Sequence, residues 1–461
     1  MPRIHSVPLL GVFLIAAVFG VTGCASETEM TAPPVEMSDP FSAAGDEPVP
    51  ERWWREFGDA RLNAIVDTAT RSNFGLKAAW QRLRAAEAIV DREQGALYPD
   101  LQVDAEGRAT RTRPDGPDSE TLDLGASSAY EVDLWGRIDA RIDAERLRAR
   151  ADLAAYRTAA LSVSADIVRT WYRLAETRSQ LRLVRSQIET NEQVLDLLET
   201  RFQTGQIERV DILRQRQLVE ATREQETVLE SRREVVTHQL AVLLGRPPQS
   251  DLPTPPDTLP DLPPLPDAGL PTDLVRRRPD VREAHRLLKA ADRELAVAIT
   301  NQYPRLTLTA GVSTVADNAS SLFETWAYSF AGNLLAPLFR GGALRAEVDR
   351  AEAVKERRLY EYGQTVLTAF QEVEDALIRE KKQRERIQDL QNQVNLARQS
   401  YRQLRVQYLN GAADYLDVLT ALDEVQQLRR DRLAAQRTLI EDRIALYRAL
   451  AGPFETARES Q

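Results

Sequence analysis

The sequence predicts a mainly α-helical chain that is duplicated internally and carries a smaller transmembrane β part. Three observations lead to this fold class. Four long stretches lack both glycine and proline, and they are residues 137–204, 206–244, 364–410 and 412–451. Motifs of the first half recur about 206 residues later, and short segments between the helical stretches alternate apolar with polar residues. The longest stretch, at 68 residues, allows a helix of about 100 Å, far beyond an ordinary globular helix.

Composition narrows the function classes. The 461 residues include 60 Lys and Arg against 70 Asp and Glu, and the net charge of −10 argues against a nucleic-acid partner. A single cysteine excludes intramolecular disulfides and zinc sites built on cysteine clusters. The sequence contains no glycine-rich phosphate loop, nucleophile elbow or HExxH motif, and His238 and His285 lack metal-like partners. We therefore expect neither an enzyme nor a bound metal or cofactor.

The N-terminus predicts export and lipid anchoring. Residues 1–23 have a positive Arg3 and a short apolar run, as in a secretory signal peptide. They end in Val21-Thr22-Gly23-Cys24, which resembles a bacterial lipobox and implies acylation of Cys24. Because Ala25 follows the cysteine rather than Asp, the resemblance implies anchoring in outer-membrane lipid. An ordinary signal peptide with an incidental cysteine is the alternative. Residues 24–50 are rich in Pro, Ser, Thr, Glu and Asp and are predicted to form the lipid-anchored tether.

The two halves share one order of elements. We predict N-terminal helices at 51–98, strands at 99–135, a helical hairpin at 136–245, a helix at 280–303, strands at 304–338, a second helical hairpin at 339–452 and a tail at 453–461. Tyr98-Pro99 recurs as Tyr303-Pro304, and Leu134-Trp135 as Leu338-Phe339. The segment 246–279 between the halves contains eleven of the 24 prolines. It is predicted to be a connector with neither helix nor central strand.

Period-two alternation predicts two strands in each half. In the first strand, apolar and polar residues alternate over Leu101, Gln102, Val103, Asp104, Ala105 and Glu106. One apolar and one polar face suit a transmembrane barrel, although a soluble sheet with one buried face fits equally well. Four strands leave open edges, which a bilayer does not permit, and the smallest closed barrels have eight strands. Strands that span a membrane would therefore require several chains, and three chains would supply twelve strands.

Heptad spacing supports long packed helices in both halves. Core positions step alternately by three and four residues at Leu181, Val184, Ile188, Asn191, Leu195, Leu198 and Phe202, and at Ile387, Leu390, Val394, Ala397, Tyr401, Leu404 and Tyr408. A strict 3.5-residue repeat predicts left-handed supercoiling. Both runs stop just before a glycine, so Gly205 and Gly411 are predicted to mark the tips of two helical hairpins. A solvated stalk with no function at its tip is the alternative.

A series of short motifs runs from residue 21 to about residue 452. They are Val21-Thr22-Gly23-Cys24, Trp53-Trp54 with Phe57, Ala96-Leu97-Tyr98-Pro99, Asp133-Leu134-Trp135-Gly136-Arg137, Arg201-Phe202-Gln203-Thr204-Gly205, Leu270-Pro271-Thr272-Asp273-Leu274, Arg276-Arg277-Arg278-Pro279-Asp280-Val281-Arg282, Asn301-Gln302-Tyr303-Pro304-Arg305-Leu306 and Leu338-Phe339-Arg340-Gly341-Gly342. Each motif is weak alone. Together with the duplication, the chain resembles TolC-like outer-membrane efflux proteins, specifically the lipoprotein branch that serves resistance-nodulation-division (RND) tripartite pumps.

The resemblance implies a homotrimer in the outer membrane of a Gram-negative bacterium. Its twelve-stranded β-barrel would continue into a long periplasmic α-helical barrel, with part of residues 51–98 and the connector 246–279 forming an equatorial belt. The trimer would be the passive exit duct of the pump. Its partners would be a periplasmic adaptor protein and an inner-membrane RND transporter. The duct would open when the adaptor docks at the hairpin tips, at Gly205, Gln206, Gly411 and Ala412.

Two acidic residues follow the second predicted tip. In the family, acidic residues just past this glycine narrow the tunnel entrance, and Asp417 matches one such position. Thr420 stands where relatives often carry a second Asp, and Asp414 is the candidate substitute. Threefold symmetry would bring three copies of each carboxylate near the axis, where they repel one another and attract cations. The alternative is that both residues only favour the N-terminus of the helix that follows.

Two other functions fit parts of the sequence. One is a duct for secreted polypeptides with an ATP-hydrolysing inner-membrane partner, which the lipid anchor and the pump-branch motifs disfavour. The other is a lipid-anchored coiled-coil spacer without a lumen, which the polar strand faces disfavour. A spacer would conduct no ions and would not need to be a trimer.

Overall fold

The computed structural model describes residues 35, 41–43, 45, 48–111, 113–114, 118–450, 452, 454–456 and 458–459. The predicted signal peptide at 1–23 and the predicted acylation site Cys24 lie outside these residues. The contacts divide the chain into two compact units. The described residues of one unit fall within 82–152 and 283–363, and those of the other within 35–81, 153–282 and 364–459.

The first half begins with a short 3-10 helix at Trp53–Phe57. Its other elements are helices α1 (Ala60–Ser72) and α2 (Phe74–Gln94), strands β1 (Asp100–Thr110) and β2 (Ser119–Val132), and helices α3 (Arg137–Gln203) and α4 (Arg209–Leu243). Helix α1 begins after Asp59, whose carboxylate accepts hydrogen bonds from the backbone N–H groups of Arg61 and Leu62. This is the arrangement expected of a good helix N-cap.

The second half repeats the order of strands and long helices. Its elements are helices α5 (Pro271–Arg277) and α6 (Pro279–Thr300), strands β3 (Arg305–Ala316) and β4 (Ala327–Leu335), and helices α7 (Ala343–Leu409) and α8 (Tyr415–Leu450). Helix α7 continues through Gly363, a residue that costs only about 1 kcal/mol in a helix interior.

The prediction that 246–279 contains no helix is wrong at its C-terminal end. Helix α5 occupies Pro271–Arg277, with its proline in the first turn. Proline suits that position because its missing N–H would have no intrahelical partner there and its φ is already helical. The proline-dense part of the connector, from residue 247 to residue 264, contains neither helix nor strand.

The four strands form one antiparallel sheet in the order β1-β2-β3-β4. Their register aligns side chains of one kind across the sheet. One row of paired residues is apolar and consists of Val103, Ala126, Val312 and Tyr328. The adjacent row lies on the other face and consists of Gln102, Ser127, Gly311 and Ser329. The sheet therefore has one apolar and one polar face, as the alternation predicts.

An aromatic core lies in the unit that contains α1, α4 and α8. Trp53 stacks on Tyr447 with ring centres 5.5 Å apart, and Trp54 meets Phe454 edge-on at 4.9 Å. Trp171 is also buried there, and its indole N–H donates to Asp59. These contacts hold the 3-10 helix against α8 and the start of α1 against α3.

Two attachments hold irregular segments on helices α7 and α8. The buried carboxylate of Glu380 accepts two hydrogen bonds from the buried Arg443 guanidinium, which also donates to the carbonyl oxygens of Pro263 and Pro264 in the connector. Nearer the N-terminus of α7, the Ser42 N–H donates to Glu374 at 2.9 Å. The C-terminal end of the predicted tether is therefore packed against the helices.

Candidate functional site at the hairpin tips

The first hairpin tip has a defined helix-ending geometry. Gly205 has a φ of 75°, which glycine adopts without strain. Its N–H donates to the Phe202 carbonyl at 2.9 Å, and the Gln206 N–H donates to the Arg201 carbonyl at 3.0 Å. This pair of bonds is the Schellman motif, which satisfies the last carbonyls of α3 and turns the chain back.

The second tip repeats this geometry. Gly411 has a φ of 73°. Its N–H donates to the Tyr408 carbonyl at 3.0 Å, and the Ala412 N–H donates to the Gln407 carbonyl at 2.8 Å. The internal duplication therefore extends to individual hydrogen bonds, and all four predicted tip residues lie exposed at the turns.

The two hairpins pack against each other just behind their tips. Leu198 and Ile212 from the first hairpin form one buried apolar cluster with Tyr415 and Val418 from the second. The Tyr415 hydroxyl donates to the side-chain oxygen of Gln215 at 2.6 Å, and both side chains are buried. This hydrogen bond joins the first turn of α8 to α4.

A cation–aromatic contact also crosses between the hairpins. The Arg201 guanidinium lies over the Tyr408 ring, 5.0 Å from its centre. The Tyr408 ring in turn lies 5.5 Å from that of Tyr415. An attraction of this kind is worth about 0.5–1 kcal/mol at an exposed site. The first and second tips are therefore connected by side chains from both helices of the second hairpin.

Asp211 lies at this contact and is largely covered. Burial raises the pKa of its carboxyl group, Arg214 at 3.7 Å opposes that rise, and the negative charges of Glu208 and Asp414 add to it. The charge of Asp414 at the second tip therefore acts on Asp211 at the first. Asp211 follows the first tip as Asp417 follows the second, 206 residues later.

Asp414 and Asp417 are exposed in the single chain. Asp417 lies in the first turn of α8, and its N–H donates to the Asp414 carbonyl at 3.2 Å. Within the described residues, neither carboxylate forms an ion pair. Both negative charges are therefore available to solvent and to ions beside the second tip.

The sheet is the second candidate region, because aromatic side chains frame it at both ends. Tyr98, Trp135 and Tyr303 lie where the chain enters or leaves the strands, and Phe323 and Trp326 lie in the connection between β3 and β4. Aromatic girdles of this kind flank the apolar band of membrane β-barrels.

Among the residues that the structure describes, no group of His, Cys, Asp or Glu could hold a metal ion. Nor is any described helix both long and apolar enough to cross a membrane.

The family assignment rests on both halves of the chain. Residues 65–246 and 270–452 each match the family model described as outer membrane efflux protein. The chain belongs to this family. The family consists of channel-type outer-membrane proteins, and the two matched ranges correspond to the two copies that the duplication predicts.

Relatives of this efflux protein are similar over most of their length. The pyoverdine export outer membrane protein OpmQ of Pseudomonas aeruginosa is 30% identical over 428 residues, which cover 88% of each chain. The toluene efflux pump outer membrane protein TtgC of Pseudomonas putida is 29% identical over 427 residues, covering 87% of this chain and 85% of TtgC. The solved structure of the outer-membrane channel OprN has a TM-score of 0.85 at 28% identity, covering 93% of this chain and 99% of that one.

These likenesses establish the location and fold class of the efflux protein. It is an outer-membrane efflux channel protein of a Gram-negative bacterium, with strands for the membrane and a large periplasmic helical part. The predicted fold class and outer-membrane location are confirmed.

Proposed function

We propose that three copies of this chain form the exit duct of a tripartite RND-type efflux pump. The duct conducts small molecules passively from the periplasm to the exterior and performs no catalysis. A periplasmic adaptor protein and an inner-membrane RND transporter are its partners, and the transporter supplies the energy. The names of the relatives, which export pyoverdine or toluene, support small-molecule cargo.

The sheet is the observation that carries the proposal. Its two outer strands, β1 and β4, each pair on one side only within the described chain. Both are exposed along their whole length, including Leu101 and Phe330 on the apolar face. Unpaired backbone groups are not tolerated in hydrocarbon, so the edges must be joined. Three sheets joined edge to edge give a closed barrel of twelve strands with a polar lumen.

The hairpin tips supply the adaptor-docking surface in this proposal. Gly205, Gln206, Gly411 and Ala412 are exposed, and their turns are held by backbone bonds. A preformed turn binds a partner without paying much ordering entropy. Docking there would act directly on the contact between Tyr415 and the first hairpin, which joins the two tips.

Asp414 and Asp417 form the periplasmic gate in this proposal. Three copies of each exposed carboxylate, set around one axis, create a negative ring that favours cations. Cys24 would carry the acyl chains that anchor each copy in outer-membrane lipid.

Mass and conductance measurements test the proposal together. We expect the mature protein in mild detergent to have the mass of a trimer after correction for bound detergent. A folded monomer would contradict the shared barrel and favour a coiled-coil spacer. In planar bilayers, Asp414→Asn with Asp417→Asn should lower the preference for cations, and the matching Ala pair should also raise the resting conductance because it removes bulk. Asp196→Asn, an exposed carboxylate of the first hairpin, is the control and should change neither property.

A further inference from the structure

A tight contact joins the end of one strand to the start of the next within the chain. Trp135 follows β2, and its indole N–H donates to the Pro304 carbonyl at 2.7 Å. Its ring centre lies 5.2 Å from that of Tyr303, which precedes β3. This junction closes the base of the β2–β3 pair.

The internal repeat contains the two halves of the same junction a second time. Leu338-Phe339 follows β4 as Leu134-Trp135 follows β2, and Tyr98-Pro99 precedes β1 as Tyr303-Pro304 precedes β3. Strands β4 and β1 are at opposite edges of the sheet, however, so they do not pair in one chain. Both halves of the repeated junction are correspondingly open. Phe339 is 89% exposed and Tyr98 is 72% exposed.

We propose that Phe339 packs on Tyr98 of the next copy of this chain. The contact repeats, between chains, the one that Trp135 and Tyr303 make within a chain. This inference rests on the proposed trimer, and it names the side chains that join its barrel. Three contacts within chains and three between chains then form one aromatic belt around the base of the barrel, where the apolar band meets the polar boundary.

The faces of the two edge strands agree with this pairing. The register across the sheet places Val103 of β1 on the same face as Tyr328 of β4. Leu101 and Phe330 share another row on that face. Joining β4 of one copy to β1 of the next therefore continues the apolar face without interruption. A second copy of the chain also provides hydrogen-bond partners for the unpaired backbone N–H and C=O groups of β1 and β4. Lipid covers the apolar side chains but offers these groups no partners.

The proposed contact between chains lacks one hydrogen-bond donor, the indole N–H, that the contact within a chain has. Phenylalanine has no N–H, so Phe339 does not reproduce the hydrogen bond that Trp135 donates to Pro304. The matching acceptor, the carbonyl of Pro99 in the next copy, lacks this donor. Phe339→Trp should therefore add a hydrogen bond between chains and raise the temperature at which trimers dissociate.

Cysteine cross-linking tests the contact. In a variant carrying Tyr98→Cys with Phe339→Cys, a short bifunctional thiol reagent should produce covalent dimers and trimers on a denaturing gel. The matched pair Trp135→Cys with Tyr303→Cys should cross-link within one chain and leave its mobility monomeric. Each single variant controls for reaction with Cys24.

The outcomes separate this inference from the proposed function. Native trimers in which the 98–339 pair stays uncoupled, while the 135–303 pair reacts, would show that lipid covers Phe339 and would overturn the inference alone. A wild-type protein that is monomeric would overturn the proposed trimer as well. If the cysteine variants fail to assemble, the dissociation temperature of Phe339→Trp decides: a rise supports the contact, and an unchanged or lower value contradicts it.

Discussion

Removing the Glu380 carboxylate should destabilise the helical unit severely. Arg443 is fully buried, and Glu380 is 2% exposed. Their two hydrogen bonds measure 2.8 and 2.6 Å, the geometry of a bidentate pair. Glu380→Ala would leave the guanidinium inside the protein without its carboxylate partner, held by the carbonyl groups of Pro263 and Pro264 and by Tyr447.

The magnitude follows from the buried charge. Deleting one partner of a buried ion pair costs about 3–5 kcal/mol, mainly because the other charge stays desolvated. We expect the lower end, about 3 kcal/mol, since two of the hydrogen bonds of Arg443 remain. Glu380→Gln keeps the shape and part of the bonding and should fall between Glu380→Ala and the wild type. Lys382→Ala is the control, because the Lys382–Glu385 pair is exposed on the same helix and is worth about 1 kcal/mol at most.

Tryptophan fluorescence during guanidinium unfolding in detergent provides the assay. Arg443 lies over the Tyr447 ring, and that ring stacks on Trp53, so the core reports directly on the pair. The free energy of unfolding should fall by about 3 kcal/mol for Glu380→Ala. A loss no larger than that of Lys382→Ala would refute the reasoning, since it would mean that the buried guanidinium is already solvated.

Three further changes test other parts of the structure. Burial raises the pKa of Asp442 from 3.8 to about 6, so its ionisation opposes folding and stability is lost as pH rises through about 6; Asp442→Asn should lose less unfolding free energy than the wild type between about pH 4 and pH 7. Gly411→Ala should cost about 1–2 kcal/mol through the positive φ alone, because nothing lies near the added methyl group, and Gly95→Ala, which has no positive φ, should not. Cys24→Ala should abolish acyl labelling or block maturation, and normal labelling of the variant would contradict the lipobox; fractionation is not the readout, because the barrel also holds the chain in the membrane.

Much of the helical architecture is predictable because helices depend on local sequence. The stretch 137–204 contains no glycine or proline, and α3 spans Arg137–Gln203. Prediction from glycine and proline positions fails where the surrounding helix tolerates one such residue or where that residue suits the helix start. Helix α7 passes through Gly363, and α5 starts on Pro271. Glycine or proline ends a helix only when its free-energy cost there exceeds the stabilisation from packing. For proline that cost comes from the missing N–H, and for glycine it comes from backbone freedom.

The tips were predictable for the same local reason, and the contact between them was not. A glycine after a long helical run indicates a left-handed residue at the helix end, as found at Gly205 and Gly411. The bond from Tyr415 to Gln215 and the closeness of Asp211 to Asp414 depend on how the second hairpin packs on the first. A heptad repeat identifies the buried stripe of each helix, but it does not identify the facing helix or its register.

That register is set by buried amides rather than by the apolar stripe. Asn191 occupies a predicted core position of α3, yet its side chain exchanges hydrogen bonds with Gln426 of α8 and donates to Thr222 of α4. Its carbonyl accepts from Gln215, and Gln187 reaches the Gln426 carbonyl. Apolar side chains would pack nearly as well after a slip of one turn, whereas every slip would leave several of these amides buried without partners, at about 1–3 kcal/mol each. These buried amides therefore stabilise the interface less than apolar side chains would, but they specify one alignment of α8 on the first hairpin. That alignment is what brings Tyr415 to Gln215 and holds the two tips side by side.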